Sequence, residues 1–276
     1  MTTFQLNFNK FDLVFIDHCC PYPYTLKDNW EVIKHKPVIW RTYTQQNSQI
    51  ELMTQPYRNR GLKIVRLSPK DRTIPNYAGD DAVIRSPMDP EVYKDWNGKS
   101  NSVITFLNFF AKRRQVSNTD IYLKIRNKFP DKFHLYGGYN EDCSVSEGYL
   151  TWNEQKKKYQ EASVYFSLGA KPASLTYNFM EAMLTGCPIV TWGKRLGSYF
   201  YLADWKDTYE VPELCENGVH CFYSDNEKEL EDYIRMLLTD RTLAETISKN
   251  GREFAIKMWD KTTVMNQWKE FFKKVL

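Results

Sequence analysis

No run of 18 or more apolar residues occurs in the 276-residue chain, so nothing is long enough to cross a bilayer as a helix. The N-terminus, MTTFQLNFNKFDLV, lacks the basic stretch followed by an apolar one that a secretory leader needs, and the expected compartment is the cytoplasm. Cysteine is scarce. The six present, Cys19, Cys20, Cys143, Cys187, Cys215 and Cys221, form no CxxC pair and no zinc-like spacing, and they read as reduced, structural thiols. Internal repeats and low-complexity tracts are missing as well, which argues against a solenoid or a disordered chain.

What is plentiful is aromatic: 18 Tyr, 16 Phe and 8 Trp, in a chain that is 42% hydrophobic and 26% charged, as globular proteins are. The length allows one large domain or two ordinary ones. A net charge of +4 is too slight to name a partner. Basic residues do cluster, at Lys112-Arg113-Arg114, Lys156-Lys157-Lys158 and Lys273-Lys274. The lysine triplet lies in WNEQKKKYQEA, whose alternating charge marks an exposed helix face.

Short apolar, β-rich runs recur at 13–16, 37–40, 62–65, 103–107, 133–136, 164–167 and 188–191, each too short for a helix. Between the later runs lie segments of helical period, at about 117–129, 153–162, 175–185, 227–238 and 241–258. The first half shows few convincing helices, so its domain reads as reduced. Strands alternating with helices mean parallel βαβ units and a buried sheet, which is a doubly wound α/β architecture. Residues 86–101, SPMDPEVYKDWNGKSN, break the pattern with two prolines and a glycine and are expected to join domains at 1–98 and 99–261. Residues 262–276 space Val264, Trp268, Phe271, Phe272 and Val275 as an apolar stripe.

The segment ASVYFSLGAKPASLTYNFMEAMLTGCPIV, residues 162–190, carries the chemistry. It reads as a strand, a Pro-containing loop, a helix opening near Ser174 and closing at Gly186, and a further strand. Ligands of such units bind beyond the carboxyl ends of the strands, and a helix N-terminus offers unpaired N–H groups and partial positive charge to phosphate. The amides of Ser174, Leu175 and Thr176 are thus candidates to hold a diphosphate. Glu181 lies within the helix, flanked by Met180, Ala182 and Met183, and should be either exposed or partnered.

This stretch resembles the donor-binding segment of the retaining GT-B glycosyltransferases of family four. Their pattern is an acidic residue, seven residues, then Glu-Ala-Met and Gly-x-Pro-Val-Val; Glu181-Ala182-Met183, Gly186, Pro188, Ile189 and Val190 fall in register. The resemblance implies two Rossmann-like domains, a final helix crossing back to a reduced N-terminal domain, and a Glu181 that binds the ribose hydroxyls of a nucleotide sugar. At the first acidic position, which in the family contacts the donor sugar, stands Ala173. A methyl group supplies none of a carboxylate's acceptor oxygens, and the sugar is left open.

The likeness covers roughly residues 101–260. Where the family places basic residues that neutralise the departing diphosphate, this chain has Lys112, Arg113 and Arg114, which could stabilise the leaving group without a metal. Gly137 matches the turn beside the nucleotide. Tyr149 and Leu150 match the loop that reads the base, with Tyr149 either stacking on it or merely part of the core or rim. In the first half the match fades. His18 and Arg41 follow strands and so reach the ligand edge of the sheet; His18 could orient a sugar or take a proton, or be structural, and Arg41 and Tyr43 face the acceptor side. Tyr22, Tyr24, Tyr57 and Tyr77, interleaved with Arg58 and Arg60, would suit a sugar or a base.

The activity implied by the resemblance is hexosyl or pentosyl transfer from a nucleoside-diphosphate sugar, UDP-linked by preference, to a hydroxyl, with retention and no cofactor. The lack of an Asp-x-Asp motif between a strand and a loop is consistent with metal independence. Acceptors could be a glycan, lipid, protein or, in a viral or phage chain working in host cytoplasm, a hydroxymethylated DNA base. A monomer or weak dimer is expected. The rival reading, prompted by Ala173, is a degenerate domain that binds nucleotide or nucleic acid without chemistry.

Overall fold

The computed structural model describes residues 10–17, 22–43, 47–198 and 207–276. Among them are two sheets in which every pair of neighbouring strands is parallel. β1 (Val14–Asp17), β2 (Val38–Arg41), β3 (Lys63–Arg66) and β4 (Ala82–Val83) lie in the order β1-β2-β3-β4. β5 (Val103–Phe106), β6 (Phe133–Tyr136), β7 (Val164–Ser167), β8 (Ile189–Trp192) and β9 (Phe222–Ser224) lie in the order β6-β5-β7-β8-β9.

The first half holds more helix than its sequence suggests. α1 (Tyr22–Ile33) and α2 (Ser48–Arg58) join β1 to β2 and β2 to β3, so complete βα units are present. Each hides behind a proline: Pro23 sits in the first turn of α1, where a missing N–H costs little, and Pro56 sits in the last turn of α2. Because the strand order never reverses, right-handed crossovers put both helices on one face. There Leu26, Trp30 and Ile33 pack with Val38, Trp40, Leu62 and Ile64. Side chains alternate along a strand, so Ile39 and Val65 point the other way. They meet Ile84 and, from α11 (Lys261–Val275), Val264, Trp268 and Phe271. The apolar stripe at the C-terminus therefore covers the face that local helices leave bare.

The second sheet is flanked by α3 (Arg114–Ser117), α4 (Thr119–Arg126), α5 (Trp152–Glu161), α6 (Tyr177–Thr185), α7 (Lys194–Gly197), α8 (Val211–Leu214), α9 (Glu227–Thr239) and α10 (Arg241–Trp259). β7 and β8 are buried at every residue, as strands covered on both faces must be. Thr151 and Glu154 form a reciprocal capping box that starts α5. Gly186 ends α6 at φ 89°, a left-handed cap that favours glycine. Strand order reverses between β5 and β7, opening a crevice at their carboxyl ends.

Residues 86–101 form no loose tether. Met88 accepts from the Lys261 N–H at 2.8 Å and donates to the Trp259 carbonyl at 2.7 Å, which pins the outgoing chain to the returning one. Trp96 donates to the Ala162 carbonyl at 2.7 Å, and Arg252 donates to the carbonyls of Pro90 and Tyr93. The four described cysteines are unpaired, and none of the described helices is long and apolar enough to cross a membrane.

Candidate active site

A cavity of about 360 Å³ lies in the crevice between β5 and β7. Its walls come from Asn108 beyond β5, Gly137 beyond β6, Ala170 beyond β7, the Tyr149–Leu150 loop and the start of α6. Gly137 is at φ 155°, and a Cβ there would lie 2.2 Å from the Leu107 carbonyl oxygen, so the turn has no room for a side chain. Its N–H donates to the Gly148 carbonyl at 2.9 Å, which ties the two loops together beneath the exposed ring of Tyr149.

Glu181 is mostly buried at the inner end of this cavity, and both carboxylate oxygens are engaged by neutral groups. Tyr93 donates to Oε1 at 2.9 Å; Gln155 and Tyr159 donate to Oε2 at 3.0 and 3.4 Å. Burial raises the carboxyl pKa, and these three hydrogen bonds pull it back down. Tyr93 also accepts from Trp152 Nε1 at 3.0 Å. This tyrosine from the inter-domain segment was not foreseen, and nothing local in SPMDPEVYKDWNGKSN marks it as part of a site.

α6 begins three residues later than expected. Thr176 is its N-cap and accepts from the Phe179 N–H at 3.3 Å, so the N–H groups lacking an intrahelical acceptor are those of Tyr177 and Asn178. Both residues line the cavity with Thr176; Ser174 and Leu175 belong to the preceding loop and line a neighbouring cavity instead. Of the basic run, Arg113 reaches the first cavity. Arg114 is turned outward to Asp120 at 2.8 Å, and Lys112 lies exposed 5.9 Å from the Phe109 ring.

The neighbouring cavity, about 220 Å³, shares Ala170, Thr176, Tyr177 and Asn178 with the first and extends to the first domain. Tyr43 lines it and donates to Asp17 Oδ2 at 2.9 Å; burial, then Asp17, raises the phenol pKa well above its ordinary value. Arg41 is buried behind it, donating to Ser86 Oγ at 2.7 Å, and Ser86 is hydrogen-bonded to the Tyr177 hydroxyl at 2.9 Å. His18 lies outside the described residues. The side chains of Tyr22 and Tyr24 also lie outside the described set; of the remaining first-half candidates, Tyr57 packs on Trp30, Tyr77 bonds Asp80, Arg58 pairs with Asp81, and Arg60 meets Glu31 at the surface at 2.5 Å.

Neither a protein-family model nor a curated protein matches the sequence. Solved structures do match, over nearly all of it. Anabaena HepE in complex with UDP-glucose superimposes with a TM-score of 0.72 at 15% identity, covering 97% of this chain and 80% of HepE. Sucrose-phosphate synthase from Thermosynechococcus elongatus gives 0.72 at 11% identity over 96% of this chain and 74% of that one. The chain has the GT-B fold. TarM agrees, with a TM-score of 0.69 at 13% identity over 94% of this chain and 54% of its own. In GT-B terms the first cavity belongs to the C-terminal domain alone and the second lies between the domains. Among the described residues no group of three or more His, Cys, Asp or Glu side chains is placed to hold a metal ion.

Proposed function

We propose that the protein is a glycosyltransferase that moves a sugar from a nucleoside diphosphate, uridine by preference, to an acceptor hydroxyl. The observation that carries this reading is the cavity at the reversal of strand order, where Glu181, Arg113 and the open N-terminus of α6 converge. A carboxylate with lone pairs to spare suits the ribose hydroxyls, and a guanidinium with helix amides suits the diphosphate, whose leaving charge they would stabilise. Tyr149, three-quarters exposed at the rim, suits the base. HepE, which shares the fold, has been crystallised with UDP and with UDP-glucose.

Retention of configuration and independence of metal rest on the family resemblance around Glu181-Ala182-Met183. The acceptor hydroxyl belongs to a glycan, lipid, protein or modified DNA base; Arg60, exposed in its pair with Glu31, stays within reach of a phosphate. The test is calorimetry with UDP, followed by detection of UDP released from UDP-glucose, UDP-galactose, UDP-N-acetylglucosamine and UDP-xylose, with and without chelator. Binding plus release from at least one donor, undiminished by chelator, is expected. Binding without release from any donor would favour a degenerate, binding-only domain. No binding at all would remove both readings.

A further inference from the structure

The second cavity is too small for a nucleotide and too polar at one end to be a packing defect. Leu67, Leu175, Met180 and Trp259 line it with apolar surface, and at its polar end stand Arg85 and Glu210. Glu210 is 2% exposed; Ser68 donates to its Oε2 at 2.5 Å, and Arg85 pairs with Oε1. Its own N–H donates to the Ser174 carbonyl at 3.2 Å, so the residue is fastened to the position next to Ala173. Two further lining residues, Ser174 and Trp259, are 1% and 0% exposed and carry polar atoms, Oγ and Nε1, that have no partner in the protein.

The wall between the cavities links the second to the first. It is made by Ala170, Thr176, Tyr177 and Asn178, and it includes the α6 amides assigned above to the diphosphate. A nucleotide whose ribose lies at Glu181 and whose phosphates lie at this partition would direct the group on its terminal phosphate into the second cavity. We propose that Glu210 is the carboxylate that recognises the transferred sugar, standing in for the acid that Ala173 lacks, and that this recognition needs the N-terminal domain to be in place. An ionised carboxylate offers about four lone-pair positions. Ser68 and Arg85 take two, which leaves acceptors for sugar hydroxyls in a fixed orientation. This inference rests on the transferase reading; its test separates the two.

On the full-length chain, calorimetry gives Kd for UDP and for UDP-glucose, UDP-galactose and UDP-xylose, and the ratio of the weakest to the tightest sugar nucleotide measures discrimination. Glu210→Gln keeps the shape and removes the charge; it is expected to lower that ratio roughly tenfold, because a site built around a hydroxyl loses its selectivity when the partner changes. Affinity for UDP alone should stay within about twofold, since the nucleotide cavity is built by other residues. An unchanged ratio with UDP binding intact overturns the proposal. If Glu210→Gln also loses UDP binding, Ser68→Ala decides, because it removes one hydroxyl and keeps the ion pair: a fall of about threefold in the ratio supports the proposal and no change overturns it. A wild-type chain that binds UDP yet treats the sugar nucleotides alike overturns this inference while the nucleotide site stands. A wild-type chain that does not bind UDP overturns the transferase reading itself.

Discussion

The two cavities share a wall and are built in opposite ways. The first draws its lining from residues 106–181, within one domain. The second needs Tyr43, Arg85 and Ser86 from one domain and Ser174, Glu210 and Trp259 from the other. Their carboxylates differ in the same sense: Glu181 is held by neutral donors, Glu210 by a charged one reaching across the domain boundary. Burial leaves Glu181 with a raised pKa that its neutral partners only partly offset, and its oxygens keep room to accept from a ligand. A cross-domain ion pair instead makes the geometry at Glu210 depend on how the domains are packed. Nucleotide binding and sugar recognition should therefore separate under mutation.

The harshest way to break the comparison is through α11. Trp268 is 6% exposed and meets Phe15 of the first sheet edge-on, beside Phe271 and Phe272 of its own helix, so Trp268→Ala should cost about 3–5 kcal/mol in a denaturant unfolding curve. Unchanged stability would mean the crossing helix is not the second layer of that domain. Next in size, Glu181→Ala removes the charged acceptor of the first cavity and should weaken UDP binding by about 1.5–3 kcal/mol, measured by calorimetry. Equal affinity would sink its assigned role. Arg113→Ala should weaken UDP binding by roughly 1.5 kcal/mol, whereas Arg114→Ala, which removes only an exposed pair with Asp120, should change it by less than about 0.5 kcal/mol.

A separate test is a pH dependence on the first domain's side of the boundary. Asp71 is buried and accepts from Thr42 at 3.1 Å; burial pushes its pKa from 3.8 up to about 7 against the pull of Arg66. With the folded pKa above the unfolded one, the neutral acid stabilises the fold fully below 3.8, and that contribution is lost as pH rises to about 7. Wild-type stability should thus fall across this window relative to Asp71→Asn, as followed by unfolding at a series of pH values. Parallel profiles would contradict the assignment.

Much of the second domain is legible in the sequence. The helices expected at 227–238 and 241–258 are α9 and α10 to within a residue, and the strand–loop–helix–strand reading around Glu181 holds. The first domain was read less well, because the prolines of α1 and α2 look like breakers unless their positions within a turn are known. At the site, Thr176 rather than Ser174 caps α6, a shift that separates two hydroxyl residues equally able to cap.

What the sequence determined by itself is what acts over a few residues: strand and helix periodicity, the Thr151–Glu154 capping box, the glycine that ends α6, and the setting of Glu181 within it. Only the tertiary structure decided that Tyr93 reaches Glu181 from 88 residues away, and that Ser68 and Arg85 hold Glu210 from 142 and 125 residues away. Local signals come from backbone geometry and neighbouring side chains, which the chain carries in order. Contacts between distant residues exist only once two sheets, a pinned linker and a returning helix have fixed where the domains meet, and no spacing along the chain encodes them.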